Sequence, residues 1–229
     1  MECSQRDAPI SDVIALSAHL SMLFGELPYV ERPAAARAAG FSAVETWWPS
    51  HLIDPWVAEV QRLNLRVALL NSPAGDIEAG ERGFLNQPDR RDETVREFQS
   101  AVGVAQTVGA PRINVLAGLM IDGVSRKKQL AETVATLREC AVIAAAANVT
   151  IVVEQINRLD VPRYLVPTGR EVIALIEAVG SSSVRMLYDA YHAARSGRSS
   201  QRGSGIHRRD RSHPLRGLAL AWRTRYGKR

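Results

Sequence analysis

Short apolar runs punctuate the first 190 residues of this chain, at 14–20, 41–47, 65–71, 112–117, 149–154 and 184–189. They are continuous rather than alternating and rich in Val, Ile, Leu and Ala. That is the pattern of strands buried on both faces of a parallel sheet. Longer segments with helical punctuation lie between them. Pro33 fits only the first turn of a helix that ends near Ala39, with Gly40 as its C′ residue. Asp54 and Pro55 read as N-cap and first residue of the next helix. A third helix stops at Gly109 and a fourth runs from Ser125 to Ala147. A fifth starts on the capping box of Thr168 and Glu171 and ends at Gly180. Residues 72–90 form a long polar loop, a length that points to function or to disorder.

Six strand–helix units in succession predict an α/β fold with a parallel sheet and helices outside it. A doubly wound sheet would also alternate in this way. No Gly-x-Gly-x-x-Gly follows the first strand, and no lysine-bearing phosphate loop is present. Polar residues gather instead at the ends of several different strands, which favours a (β/α) TIM barrel. The pattern stops after Arg195, so about six units are expected, and the barrel is incomplete. The resulting division is a leader at 1–13, a partial barrel at 14–195 and an irregular, disordered basic tail at 196–229.

Charge sharpens that division. The last 34 residues hold ten of the 29 Lys and Arg but one of the 24 acids, Asp210, a local charge of +9. The rest of the chain therefore carries −4, as an ordinary acidic domain does. Clustered arginine suits phosphate, so a non-catalytic nucleic-acid-binding protein is the rival reading from another class. The tail offers only Trp222 and Tyr226 for stacking and no recognised binding motif, which makes a nucleic-acid partner the weaker expectation. Two cysteines, Cys3 and Cys140, make no disulfide framework, and both read as inert. The start lacks an apolar signal core, and no run nears the ~18 residues of a membrane span. A cytoplasmic protein without a membrane partner is expected.

Two strands end on carboxylates, Glu154 and Asp189. At the C-terminal ends of barrel strands, such a pair either binds one hard cation or serves as strand-end caps and salt-bridge partners. Asn71 ends the third strand and is a candidate to bind substrate or to cap the following loop. Arg82, within that loop, is a candidate to pair with a substrate carboxylate, its rival being a surface arginine. His192 lies three residues beyond Asp189 and is a candidate to orient substrate. Glu45 ends the second strand as a supporting group or a salt-bridge partner. Trp47 and Trp48 either wall the site or pack in the core.

Five separated motifs then carry a family likeness. They are Leu16 to Phe24, Ala35 to Glu45, Asn71 to Gly83, Glu154-Gln155-Ile156-Asn157-Arg158, and Tyr188-Asp189-Ala190-Tyr191-His192. In this order they resemble hydroxypyruvate isomerases, members of the xylose isomerase-like TIM barrels, over about residues 14–195. The resemblance implies interconversion of hydroxypyruvate and tartronate semialdehyde through an enediol, or isomerisation or epimerisation of a related keto-acid sugar. It implies Glu154 as metal ligand and catalytic acid/base, Asp189 as second ligand, and a divalent cation, Mg²⁺ or Mn²⁺. The substrate is a small molecule, and a homo-oligomer is expected. The family places further ligands and a second catalytic Glu on strands seven and eight, which this sequence does not show in recognisable form. His19 stands where the family has Asn, lining the mouth of the barrel or bonded to a neighbour. A single frameshift near residue 196 would account for the loss of likeness, periodicity and charge balance together. The expectation is then a weakly active or inactive enzyme.

Overall fold

The computed structural model describes residues 15–197 and 219–221. Seven strands form one parallel sheet in sequential order, β1 (Ala18–His19), β2 (Ala43–Thr46), β3 (Arg66–Asn71), β4 (Arg112–Val115), β5 (Thr150–Glu154), β6 (Val184–Asp189) and β7 (Ala219–Ala221). Neighbours in sequence are neighbours in space, as a barrel wall requires. The helices α1 (Arg32–Ala38), α2 (Ile53–Arg62), α3 (Arg91–Val108), α4 (Arg126–Ala146) and α5 (Gly169–Val179) connect consecutive strands from β1 to β6. A short α6 (Ala190–Gly197) follows β6 directly. Trp56 of α2, Phe98 of α3 and Leu137 of α4 are fully buried in one continuous core with Leu70, Ile113 and Ile151 of the strands. The expected layering of helices on a parallel sheet is therefore present.

The structure departs from the sequence reading in three places. β1 keeps two residues of the expected seven, because the chain turns at once: Met22 and Leu23 both donate their amides to the His19 carbonyl, at 3.0 and 2.9 Å. Asp54 is not an N-cap. A 3₁₀ turn at Ser50–Leu52 runs straight into α2, so the helix begins at Ile53 and Asp54 lies inside its first turn without a capping bond. The basic tail also contributes β7, whose Ala219, Leu220 and Ala221 pair with Leu187, Tyr188 and Asp189. These alanines and leucine come from the tail's one apolar run, and β6 offers them an edge to pair with. The remaining tail and the leader, with the disorder and frameshift expected there, lie outside the described residues, as do Cys3, Trp222 and Tyr226. Among the described residues no ladder joins β7 back to β1.

Other local signals hold. Pro33 sits in the first turn of α1. The capping box is complete: Glu171 donates its amide to the Thr168 hydroxyl, and the Glu171 carboxylate accepts from the Thr168 amide at 3.1 Å. Thr168→Ala should lower stability by ~1 kcal/mol, read as a lower urea midpoint at unchanged slope. An unchanged midpoint would show that Glu171 alone secures this helix end. Cys140 is fully buried in α4, and burial pushes its thiol up to about 12, so it stays a thiol at neutral pH. No helix among the described residues is long and apolar enough to cross a membrane.

Candidate active site

Side chains alternate across a strand, so residues two apart share a face. Leu69 of β3, Val152 of β5 and Leu187 of β6 form a small buried cluster apart from the main core. Two residues further along each strand stand Asn71, Glu154 and Asp189, all buried. The apolar layer thus carries a polar layer above it, at the C-terminal ends of the strands.

Glu154 is fully buried, and its Oε2 accepts a hydrogen bond from Asn114 Nδ2 at 3.1 Å. Asn114 belongs to β4 and pairs in register with Asn71. Asp189 is fully buried as well, and its Oδ1 accepts from the His192 amide at 2.9 Å. It therefore caps α6, which is one of the two roles weighed for a strand-end acid. The cap also fixes where α6 starts and so brings His192 back over the strand ends. Glu154, Asp189 and His192 each present a ligand atom within 4.8 Å of the others. Two buried carboxylates suit a hard divalent cation, so this donor set fits such an ion.

A cavity of about 150 Å³ opens beside the cluster. Its polar lining comes from Asn71, Arg82, Glu154, Asp160 and His192, and Met22, Trp47, Leu116 and Ile156 supply apolar wall. Among the described residues Arg82 is the one Lys or Arg that lines it. Arg82 is carried by a loop that closes on itself. Gly83 and Glu81 donate their amides to the carbonyls of Ala74 and Asp76, each at 2.9 Å, and Arg82 Nη1 donates to the Ile77 and Glu81 carbonyls. Gly83 adopts φ +85°, and a β-carbon there would overlap the Leu116 carbonyl, so only glycine lets the loop lie against the end of β4. The long loop is ordered rather than disordered.

His19 is buried at the end of β1 and meets Trp47 edge-on, with ring centroids 5.7 Å apart. Trp47 lines the cavity, while its neighbour Trp48 packs against the core. Glu45 is buried at the end of β2, paired in register with His19, and is not part of the cavity wall. The sequence reading gave no role to Asn114 or Asp160, and it quoted Asn157 only within the Glu154 motif. Asn114 is a polar residue inside an apolar run, a signal that was present. Asn157 and Asp160 follow Glu154 closely, but the partners that tie them to the site, His192 and Arg195, lie on α6.

A sequential parallel barrel wall with carboxylates at its strand ends narrows the choice of family, and comparison decides it. Residues 33–222 match the xylose isomerase-like TIM barrel family. The chain belongs to that family. The match runs past residue 195, about where the resemblance read from the sequence ends, and takes in β7. Hydroxypyruvate isomerase of Escherichia coli is 34% identical over 184 residues, which cover 80% of this chain and 71% of the relative. 2-Oxo-tetronate isomerase of Cupriavidus necator is 34% identical over 177 residues, covering 77% of this chain and 68% of that protein. The crystal structure of an AP endonuclease, family 2, from Brucella melitensis superposes with a TM-score of 0.73 at 30% identity, covering 77% and 69% of the two chains. The likeness to hydroxypyruvate isomerases is borne out, and the enzyme class within this xylose isomerase-like family is that of an isomerase.

Proposed function

We propose that this chain is a divalent-metal-dependent isomerase of small hydroxy-keto acids, acting on hydroxypyruvate and tartronate semialdehyde. The observation that supports this best is the buried group of Glu154, Asp189 and His192, beside a cavity lined, among the described residues, by one arginine. Glu154 and Asp189 would hold the cation, Mg²⁺ or Mn²⁺. When bound, the cation supplies charge stabilisation to the substrate oxygens as the enediol develops. Glu154 is the proton carrier. Its carboxylate is held by Asn114, and it can take a proton from one substrate carbon and return it to the next. Arg82 pairs with the substrate carboxylate, and its loop keeps it at the cavity wall. Asn71 and His192 hold the substrate hydroxyl and carbonyl, and Trp47 and Leu116 exclude water. His19 acts at the mouth, one residue removed through Trp47.

The relative named 2-oxo-tetronate isomerase supports a second substrate within the same reading, a four-carbon acid. A nuclease reading is weaker, because the curated relatives above are named isomerases.

The test is a substrate panel run with Mg²⁺ or Mn²⁺ on the purified chain. Hydroxypyruvate, 2-oxo-tetronate and a neutral ketose of similar length are compared. Weak turnover of either acid but none of the neutral ketose is expected, because the second catalytic Glu that the resemblance places on strand eight is not recognisable in this sequence, and failure of both acids would sink the proposal that this chain is active. Arg82→Met should raise KM for the acid by about 10- to 100-fold with a smaller change in kcat, since a hydrogen-bonded charge pair contributes about 1.5–3 kcal/mol. An unchanged KM would remove Arg82 from the site.

A further inference from the structure

Asn157 sits fully buried between Glu154 and α6, and its side-chain amide uses its whole hydrogen-bonding capacity. Its Oδ1 accepts from the backbone amides of Leu159 and Asp160, both at 3.0 Å. Its Nδ2 donates to Asp160 Oδ2 at 3.0 Å and meets His192 Nδ1 at 2.6 Å. The Asn157 backbone amide also points at His192 Nδ1, at 3.4 Å. This arrangement admits one orientation. Turning the amide over would set Oδ1 against the Asp160 carboxylate and Nδ2 against two N–H donors. Asp160 is itself held by Arg195, with 3.3 Å between Nη2 and Oδ1, so it stays an acceptor on that side. Two donors therefore converge on His192 Nδ1, and that nitrogen must present its lone pair. In a neutral imidazole the proton then rests on Nε2.

We propose that Asn157 is a positioning residue that fixes His192 in the tautomer protonated on Nε2, so that His192 serves the cavity as a hydrogen-bond donor and not as a metal ligand. A neutral imidazole ligates through a nitrogen that carries no proton. Here that nitrogen is Nδ1, which two Asn157 donors already occupy. The cation is left to Glu154 and Asp189, and His192 can donate to a substrate oxygen, where negative charge grows as the enediol forms. This assignment rests on the isomerase reading for its purpose but not for its structure.

The experiment is ¹⁵N spectroscopy of histidine-labelled full chain at mildly alkaline pH, with the His192 signal identified by its loss in His192→Gln. The wild type should show a protonated Nε2 and an unprotonated Nδ1, and adding Mg²⁺ should leave that pattern in place. A protonated Nδ1, or loss of the Nε2 proton on adding Mg²⁺, would overturn the proposal. Asn157→Asp keeps an acceptor for the Leu159 and Asp160 amides but presents a carboxylate oxygen to the ring. It should move a proton onto Nδ1, and an unchanged pattern in this variant would also defeat the assignment. The wild-type spectra decide the matter even if that variant does not fold. They do so whether or not the chain isomerises any acid, so failure here and failure of the isomerase reading are told apart.

Discussion

Glu154→Gln is expected to lower kcat by about 10²–10⁴-fold, the usual contribution of a positioned general acid–base group. The substitution preserves shape, and the amide oxygen of Gln can still accept from Asn114 Nδ2. Packing therefore changes little at this fully buried position, and the loss falls on chemistry. The carboxamide cannot take up a proton at neutral pH, and it removes one of the two negative charges offered to the cation. Steady-state kinetics at saturating Mg²⁺ or Mn²⁺ would separate these two effects. Exchange of the substrate C–H in D₂O gives a second readout, because exchange needs the base alone and not complete turnover. Exchange and kcat that both stay within twofold of the wild type would show that Glu154 is not the proton carrier.

Asp189→Asn should weaken binding of the divalent cation by about 10- to 100-fold. That factor follows from removing one full charge near the ion at an effective dielectric well above that of dry protein. The Asn side chain retains an oxygen that accepts from the His192 amide, so the cap on α6 survives and the fold should persist. Calorimetric titration of the variant with Mn²⁺ would give the affinity, and its melting midpoint would show that the barrel is intact. If the variant binds the cation as tightly as the wild type does, Asp189 is a cap and no ligand. Activity at a fixed, subsaturating cation concentration should fall in step with affinity and recover in part as the cation is raised.

Much of the fold was legible because its strands are buried on both faces. Continuous apolar runs marked five of the first six strands closely, and the capping box at Thr168 placed α5 to the residue. What escaped was set by neighbours rather than by local pattern. Asp54 and Pro55 look like the start of a helix, but the preceding 3₁₀ turn had already started it. β1 is cut short by a turn onto the His19 carbonyl, and β7 depends on the edge of β6. Glu154 and Asp189 were readable because an acid at the end of an apolar strand is conspicuous. Asn114 was passed over because neither its inward face nor its bond to Glu154, forty residues away in sequence, shows in its own segment. Asn157 is the sharper case: its meaning lies in His192, which reaches it only through the Asp189 cap.

The loop that bears Arg82 is already folded onto itself and onto the end of β4, where the Gly118 amide donates to the Arg82 carbonyl at 2.9 Å. Phe84 and Leu85 just beyond it are buried, and the Arg90 guanidinium lies over the Phe84 ring at 3.3 Å. A substrate entering this cavity therefore meets a finished wall. The Arg82 loop does not have to be ordered at the moment of binding, so little affinity is lost to its entropy. The wall on the Arg82 side is thus set by Gly83 lying against the Leu116 carbonyl, and any room for a longer acid has to come from elsewhere in the cavity.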